Sequence, residues 1–599
     1  MRMRAALPAL AVAVLLAARV PAPPQGLAVI GRSWILAPAV SSTPSGYVGV
    51  LVNISLTIIE GHGDIYVSTS PLTDVDMQGS ARAAVRAACS LLGVDCSHYD
   101  FLFHVEADTV IVGGPSAGLV MAVLTSSILT GRPLNRSVMA TGMVAPDGSV
   151  GPVGGILEKA NASARAGAKL FLVPLGQSVV VTYVRRERRV GPFIMYTVKP
   201  VRVNLTEYAL ENWGLRVREV VSLEDALEAF LGLKIPEAVG EPVASAEVAA
   251  ACEQVASMLL RSAEGSLRRA KAALESHQLG PLARRYLRGK VETAEALLQE
   301  VRGVSDPVLR AAKAYQPLAE AEWARLLVSY ALGLDLAGYV EGLAANITSS
   351  WSGAEGLAQA FYLAGAEEAL RLAQELWEGD VEASLYCLAL AHAYTVAAEA
   401  WAKSGSDLLL GEVGERAGEL VAEAGHTWSY ASLILGEMEL NSLRLRAAGV
   451  AYQLAKSALA RGEALRALMH AVRGLSLAEA ALDEAVIKAA GAVKAERLCN
   501  YARKLALRSL PRQPPALLLL LLKLGESSSD LPLKLLAYRY AYNAARAAPA
   551  LPARKLGGGE TAVSFSLEAW ASWLAAVALA AFLALCALAA APKRALNKG

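Results

Sequence analysis

Metal-binding patterns are the first thing this sequence lacks. Its 599 residues hold seven histidines and six cysteines, with no HExxH and no CxxC pair, so no zinc framework can be drawn and no cofactor is expected. There is no GxxxxGK[ST] stretch, the glycine-rich loop that cradles nucleotide phosphates. An excess of one charge is missing too: 57 Lys and Arg offset 55 Asp and Glu, and the net +2 gives no whole-chain attraction to nucleic acid. No repeat of fixed period emerges. What is abundant is apolar side chains, 54% of the chain with a mean hydropathy of +0.37. That is high for a purely soluble protein, and the two termini account for part of it.

Residues 1–25, MRMRAALPALAVAVLLAARVPAPPQ, have a basic start, an apolar stretch and then small residues and prolines, the pattern of a secretory signal peptide or an uncleaved anchor. From 570 to 591 run roughly twenty uncharged residues, enough to cross a bilayer as a helix. Trp570 and Trp573 open that span, and Lys593, Arg594 and Lys598 follow it in a tail, 592–599. Basic residues favour the cytoplasmic side and tryptophans the interface, so a single-pass membrane protein is expected with about residues 25 to 565 outside the cell. Five of the ten asparagines, Asn53, Asn135, Asn161, Asn204 and Asn346, stand in N-x-[ST] sequons, which fits an exported glycoprotein. Cys89 and Cys96 are close enough in sequence for a local disulfide, which an oxidising compartment permits. The opposite orientation, with the bulk of the chain in the cytosol, would leave the basic tail outside and all five sequons unused.

Between the termini the pattern changes once. Residues 46–233 alternate strand-like and helical runs, an α+β unit. YVGVLVNISLTII and DIYVSTS read as strands paired across EGHG, SARAAVRAACSLLG as a helix, and YDFLFHVEAD as the next strand. SVMATGMVAPDGSVGPVGG reads as two short strands turning at Asp147-Gly148, followed by a helix from Gly155 to Ala166, the strand AKLFLVP and a last helix SLEDALEAFLGL. SVVVTYVRRERRVGPFIMYTVKPVRV suggests a hairpin with a basic tip. Residues 244–548 are rich in Ala, Leu, Glu and Arg at helical spacing, and about eight to eleven helices are expected there, stacked as a bundle or solenoid. A glycine-bearing linker, 549–569, leads to the span.

GGPSAG, residues 113–118, sits directly before an apolar helix. A serine there caps a helix by default, its hydroxyl accepting from an unpaired amide of the first turn. The same position suits a nucleophile, because helix-start amides and the positive end of the dipole can hold a developing oxyanion. No Ser-His-Asp constellation accompanies it. Lys159, in the first turn of the later helix, offers a base if burial and the helix N-terminus depress its pKa; a solvated surface lysine is the other reading.

GGPSAG, TGRPLNRSVMATGMV and GPVGGILEKANASARAGAKLFLVP, in this order, resemble the proteolytic domain of the Lon family, peptidases with a Ser-Lys dyad. The resemblance covers about residues 46–233, a Lon-type proteolytic domain followed by the all-α region and the C-terminal transmembrane helix. It implies Ser116 as nucleophile, Lys159 as general base 43 residues on, and Thr141 as a hydroxyl that helps position the lysine. His104 falls where the family often has a histidine, with a packed strand residue as its other reading, and Glu158 serves helix capping before any chemistry. Gly113 and Met143 stand where many relatives carry acidic residues, the basic hairpin resembles an insertion, and the family's usual ATPase is absent from these residues. The implied function is an ATP-independent, membrane-anchored serine endopeptidase acting on unfolded or flexible polypeptides, with homo-oligomerisation expected. The alternative is a catalytically inactive Lon-like scaffold at the cell surface. The role of the helical region stays open among substrate recruitment, spacing from the membrane and assembly.

Overall fold

Period-two alternation builds the first sheet. In β2 (Gly46–Glu60) Val52, Ile54, Leu56 and Ile58 are buried while Asn53, Ser55 and Thr57 line the other face, and in β4 (Tyr99–Val112) Phe101, Phe103 and Val105 are buried. The computed structural model describes residues 28–43, 46–73, 76–112, 115–190, 193–237, 242–405, 407, 413–511 and 513–547. The signal-like segment 1–25, Gly113, Gly114, the linker 549–569, the span 570–591 and the tail 592–599 lie outside the described residues.

The sheet order is β1 (Val29–Thr43), β2, β4, β3 (Ile65–Thr73). The expected hairpin between β2 and β3 does not form. β4 lies between them, antiparallel to β2 and parallel to β3, and its Asp100 carboxylate accepts from the amides of His62 and Asp64 in the intervening turn at 2.7 and 3.0 Å. Alternation fixes which face of a strand is buried, and says nothing of its neighbour. β1 also lies ahead of the start expected at residue 46.

Helices α1 (Asp76–Leu92) and α2 (Gly118–Thr130) join the buried face of this sheet to a common core. A disulfide between Cys89 and Cys96 ties the end of α1 to the turn before β4. A second, parallel sheet has the order β11 (Arg216–Val220), β8 (Leu170–Pro174), β5 (Val138–Ala140). Helix α3 (Ile156–Arg165) packs beside it through Ile156 and Ala160. β6 (Met143–Val144) and β7 (Val150–Gly151) form the expected small hairpin turning at Asp147-Gly148. β9 (Val179–Val190) and β10 (Phe193–Asn204) form the long hairpin, and α5 (Leu223–Leu231) is the last helix of the unit. Helix α4 (Leu205–Trp213) and β11 are additional to the elements expected from the sequence.

Thirteen helices among the described residues, α6 (Ala246–Ser276) to α18 (Leu531–Ala547), follow in chain order. The count exceeds the eleven expected because breaks as short as Ala314 or Gly491 separate consecutive helices while their shared apolar pattern runs on. α15 (Ala464–Ala490) is buried on nearly every side from Ala467 to Val486, which makes it the centre of a globular bundle. α12 (Val381–Ser404) is long and apolar enough to cross a membrane by length and composition, yet 56% of its most apolar window is buried in the bundle. Apolar length therefore appears in the middle of the chain as well as at the end where a span was expected.

The helices close directly onto the α+β unit, and the described residues form one compact body. Ion pairs cross the junction: Glu219 with Lys494 at 2.9 Å, Glu224 with Lys504 at 3.0 Å and with Arg508, Arg86 with Glu423, and Asp147 with Arg539.

Candidate active site

The serine stands at the head of a core helix. α2 is apolar all round and buried from Gly118 through Ser127. Pro115–Ala117 form a single 3-10 turn ahead of it, with Pro115 buried and Ser116 half-buried. Ala117 takes the cap position, and no side chain caps the helix. The hydroxyl of Ser116 is therefore not spent on capping, and no hydrogen bond joins it to any other described residue.

The turn is laced to the segment after β5. The Ser116 carbonyl accepts from the Gly142 amide at 3.1 Å and from the Thr141 hydroxyl at 3.4 Å, while the Gly142 carbonyl accepts from the Leu119 amide at 3.0 Å. Thr141 is fully buried. Both glycines at this junction are needed for room: a Cβ on Gly118 would lie 3.1 Å from the Val144 nitrogen, and one on Gly142 would lie 2.8 Å from Val150 Cγ1.

Lys159 opens the hydrogen-bond ladder of α3, its amide donating to the Gly155 carbonyl at 3.0 Å. Gly155 adopts φ +66° ahead of the helix, a conformation that glycine alone reaches without strain. β2 runs so close that a Cβ on Gly49 would fall on the Glu158 carbonyl, and Arg165 Nη2 donates to the Gly49 carbonyl at 2.8 Å. Held there, the Lys159 side chain is only 2% exposed. Burial lowers its pKa from the usual lysine value to about 8, against the opposing pull of the Glu158 charge. Among the described residues no carboxylate forms an ion pair with it. Ser163 Oγ binds only its carbonyl, at 2.8 Å.

The structure thus holds a hydroxyl at a helix start, without a hydrogen-bond partner among the described residues, and a buried amine whose pKa is lowered to about 8. No hydrogen bond joins Ser116 to Lys159; such contacts are commonly long until substrate closes the site. The one described hydrogen bond from the Thr141 side chain goes to the serine turn. His104 is not packed: it lies on the exposed face of β4, with Nδ1 3.4 Å from Ser68 Oγ. Glu158 lies in the first turn of α3, where its side chain makes no hydrogen bond to a described residue and its described effect is electrostatic. Met143 is buried over Gly151, an apolar plug in the small hairpin. Sequence reasoning missed Asp147, Tyr501 and Arg539, which meet at the hairpin tip; only Asp147 lay within a recognised motif.

Residues 39–189 match the Lon protease (S16) C-terminal proteolytic domain. Among similar proteins, Lon protease 1 of Herpetosiphon aurantiacus is 41% identical over 138 residues, 22% of this chain and 16% of that protein. Lon protease of Paraburkholderia phytofirmans is 40% identical over 152 residues, 24% of this chain and 17% of that one. Lon protease 2 of Syntrophobacter fumaroxidans is 38% identical over 151 residues, 24% and 19% respectively. The chain spans less than a fifth of the length of these curated relatives. The matched segment contains Ser116, Thr141 and Lys159, so the residues expected to act together all lie in the part that is similar to the Lon C-terminal proteolytic domain.

Proposed function

We propose that the chain is a serine endopeptidase with Ser116 as nucleophile and Lys159 as general base. The observation that carries this reading is Lys159 itself, buried without an ion-pair partner among the described residues and depressed to about pH 8, a state that a structural lysine has no use for. In the reaction the neutral amine accepts the Ser116 proton as Oγ bonds to the scissile carbonyl carbon, and the positive end of the α2 dipole favours the developing oxyanion. Collapse breaks the C–N bond, the leaving amine takes the proton back from Lys159, and an acyl-enzyme on Ser116 remains. Water then gives a proton to Lys159 as it bonds to the acyl carbon, the C–Oγ bond breaks to release the acid, and Lys159 returns the proton to Ser116 Oγ. Thr141 keeps the serine turn seated through the Ser116 carbonyl.

The substrates proposed are unfolded or flexible polypeptides, cleaved without ATP, since the 599 residues contain no nucleotide-phosphate loop. We further propose membrane anchoring by residues 570–591, with the protease facing outward. The Cys89–Cys96 disulfide supports an oxidising compartment, and of the sequon asparagines Asn135, Asn161, Asn204 and Asn346 are exposed.

A serine-directed fluorophosphonate probe on the full chain tests the reading. Wild type should label at Ser116 and hydrolyse a flexible peptide, and Ser116→Ala should do neither. Undiminished hydrolysis by Ser116→Ala would sink the assignment, and a wild type that neither labels nor cleaves would favour the scaffold.

A further inference from the structure

The small hairpin of β6 and β7 joins the two halves of the site. At its start, Thr141 and Gly142 bind the serine turn, and the Val144 nitrogen faces Gly118. At its end, β7 leads through Pro152–Gly155 into the lysine helix, and Val153 is clamped by Gln177, whose amide accepts at 2.9 Å and donates at 2.8 Å. Any tilt of this hairpin moves Ser116 and Lys159 relative to each other.

Its tip is held from the far end of the chain. Asp147 Oδ1 accepts from the Ser149 amide and hydroxyl at 3.1 and 2.7 Å, and Oδ2 pairs with Arg539 of α18. Arg539 also grips Asp483 of α15, at 3.1 and 2.9 Å. The Tyr501 hydroxyl, from α16 (Ala492–Ser509), donates to the Asp147 carbonyl at 2.8 Å. A Cβ on Gly148, where φ is +87°, would come 2.7 Å from that same hydroxyl oxygen. Asp147, Asp483 and Arg539 are each at most 3% exposed. Desolvation makes a buried ion pair a poor source of stability, whereas its directional bonds fix one geometry.

Taking Ser116 and Lys159 as the dyad, we infer that Arg539 and Tyr501 of the helical region are positioning residues of the proteolytic site, holding the Asp147-Gly148 tip so that the hairpin sets the serine-to-lysine approach. The helical region is thereby part of the catalytic apparatus and not an appended module.

The test uses the full-length protein with Tyr501→Phe, Asp147→Asn and, as a comparison at the rim of the same junction, Lys494→Met. Tyr501→Phe should lower kcat ~10-fold with KM within ~2-fold and displace the pH midpoint of kcat, because misplacement of a base costs turnover and not binding. Asp147→Asn should act in the same direction; where it fails to fold, Tyr501→Phe decides. Lys494→Met should change neither parameter. A folded Tyr501→Phe with wild-type kcat and pH midpoint, or a change confined to KM, overturns the inference. Amide exchange needs no turnover: residues 143–159 should exchange faster in Tyr501→Phe while α15 is unaltered, and equal protection would overturn it even if Ser116→Ala had already disproved the dyad.

Discussion

Lys159 couples stability to activity through one proton. Its folded pKa, about 8, lies below the unfolded lysine value of 10.5, so between those limits the unfolded chain binds a proton that the folded chain does not. Stability therefore rises with pH from about 8 to about 10.5, and below that window the full penalty of the buried amine is present, ~3 kcal/mol at most. Lys159→Met should abolish hydrolysis and raise the unfolding midpoint at pH 7, the combination expected where function keeps a strained group. Lys159→Arg should not restore activity, since a guanidinium stays protonated. For the wild type, kcat should climb through about pH 8 as the base form appears. A flat profile across that range, or a Lys159→Met protein no more stable than wild type, would contradict this account. That the lysine is buried could not be read from its neighbours: Glu158 and Ala160 on either side suit a solvated helix equally well, and burial depends on how α3 packs against distant elements such as β2, which approaches it at Gly49.

The elements of the α+β unit were legible wherever one periodicity persisted, as in β2, β4 and α1. Partners were not, and β4 displaced β3 from the expected pairing because order in a sheet depends on distant segments. The same limit hid the contacts of α15. Its Glu479 accepts from Asn543 Nδ2 at 2.8 Å through Oε2, while Oε1 is buried without a hydrogen-bond partner. Burial first and the Asp147 charge second raise its pKa to about 8. Glutamate at 4.5 in the unfolded chain and about 8 in the folded one means that the folded state binds the extra proton, so this group's contribution is complete below 4.5 and is lost as pH rises toward 8. Glu479→Gln, which keeps the shape and the neutral charge, should flatten that descent and leave the protein more stable at pH 8 by ~1 kcal/mol or more. Denaturant melts of both proteins at pH 6 and pH 8 would show it; an unchanged difference between the two pH values would refute the protonated assignment.

At the scale of the whole molecule, the proposed orientation predicts what an outside protease can reach. Added to intact cells, it should digest the region up to about residue 565 and leave a small membrane-protected C-terminal fragment, as expected for a tail carrying Lys593, Arg594 and Lys598 on the cytoplasmic side. Resistance until the membrane is opened would reverse the topology and leave the missing nucleotide-phosphate loop as the sole ground for an ATP-free mechanism. Neither the compactness of residues 28–547 nor the charge pairs across the junction could be foreseen, because each pair joins residues hundreds of positions apart. That distance carries a consequence in time. Asp147 and its clamp Arg539 are 392 residues apart, which at a synthesis rate of about 5–20 residues per second is a gap on the order of 20 to 80 seconds. Throughout that gap the nascent chain would own its serine and its lysine without the brace that aligns them, and a hydrolase emerging among unfolded neighbours, itself included, would stay silent until α18 arrived.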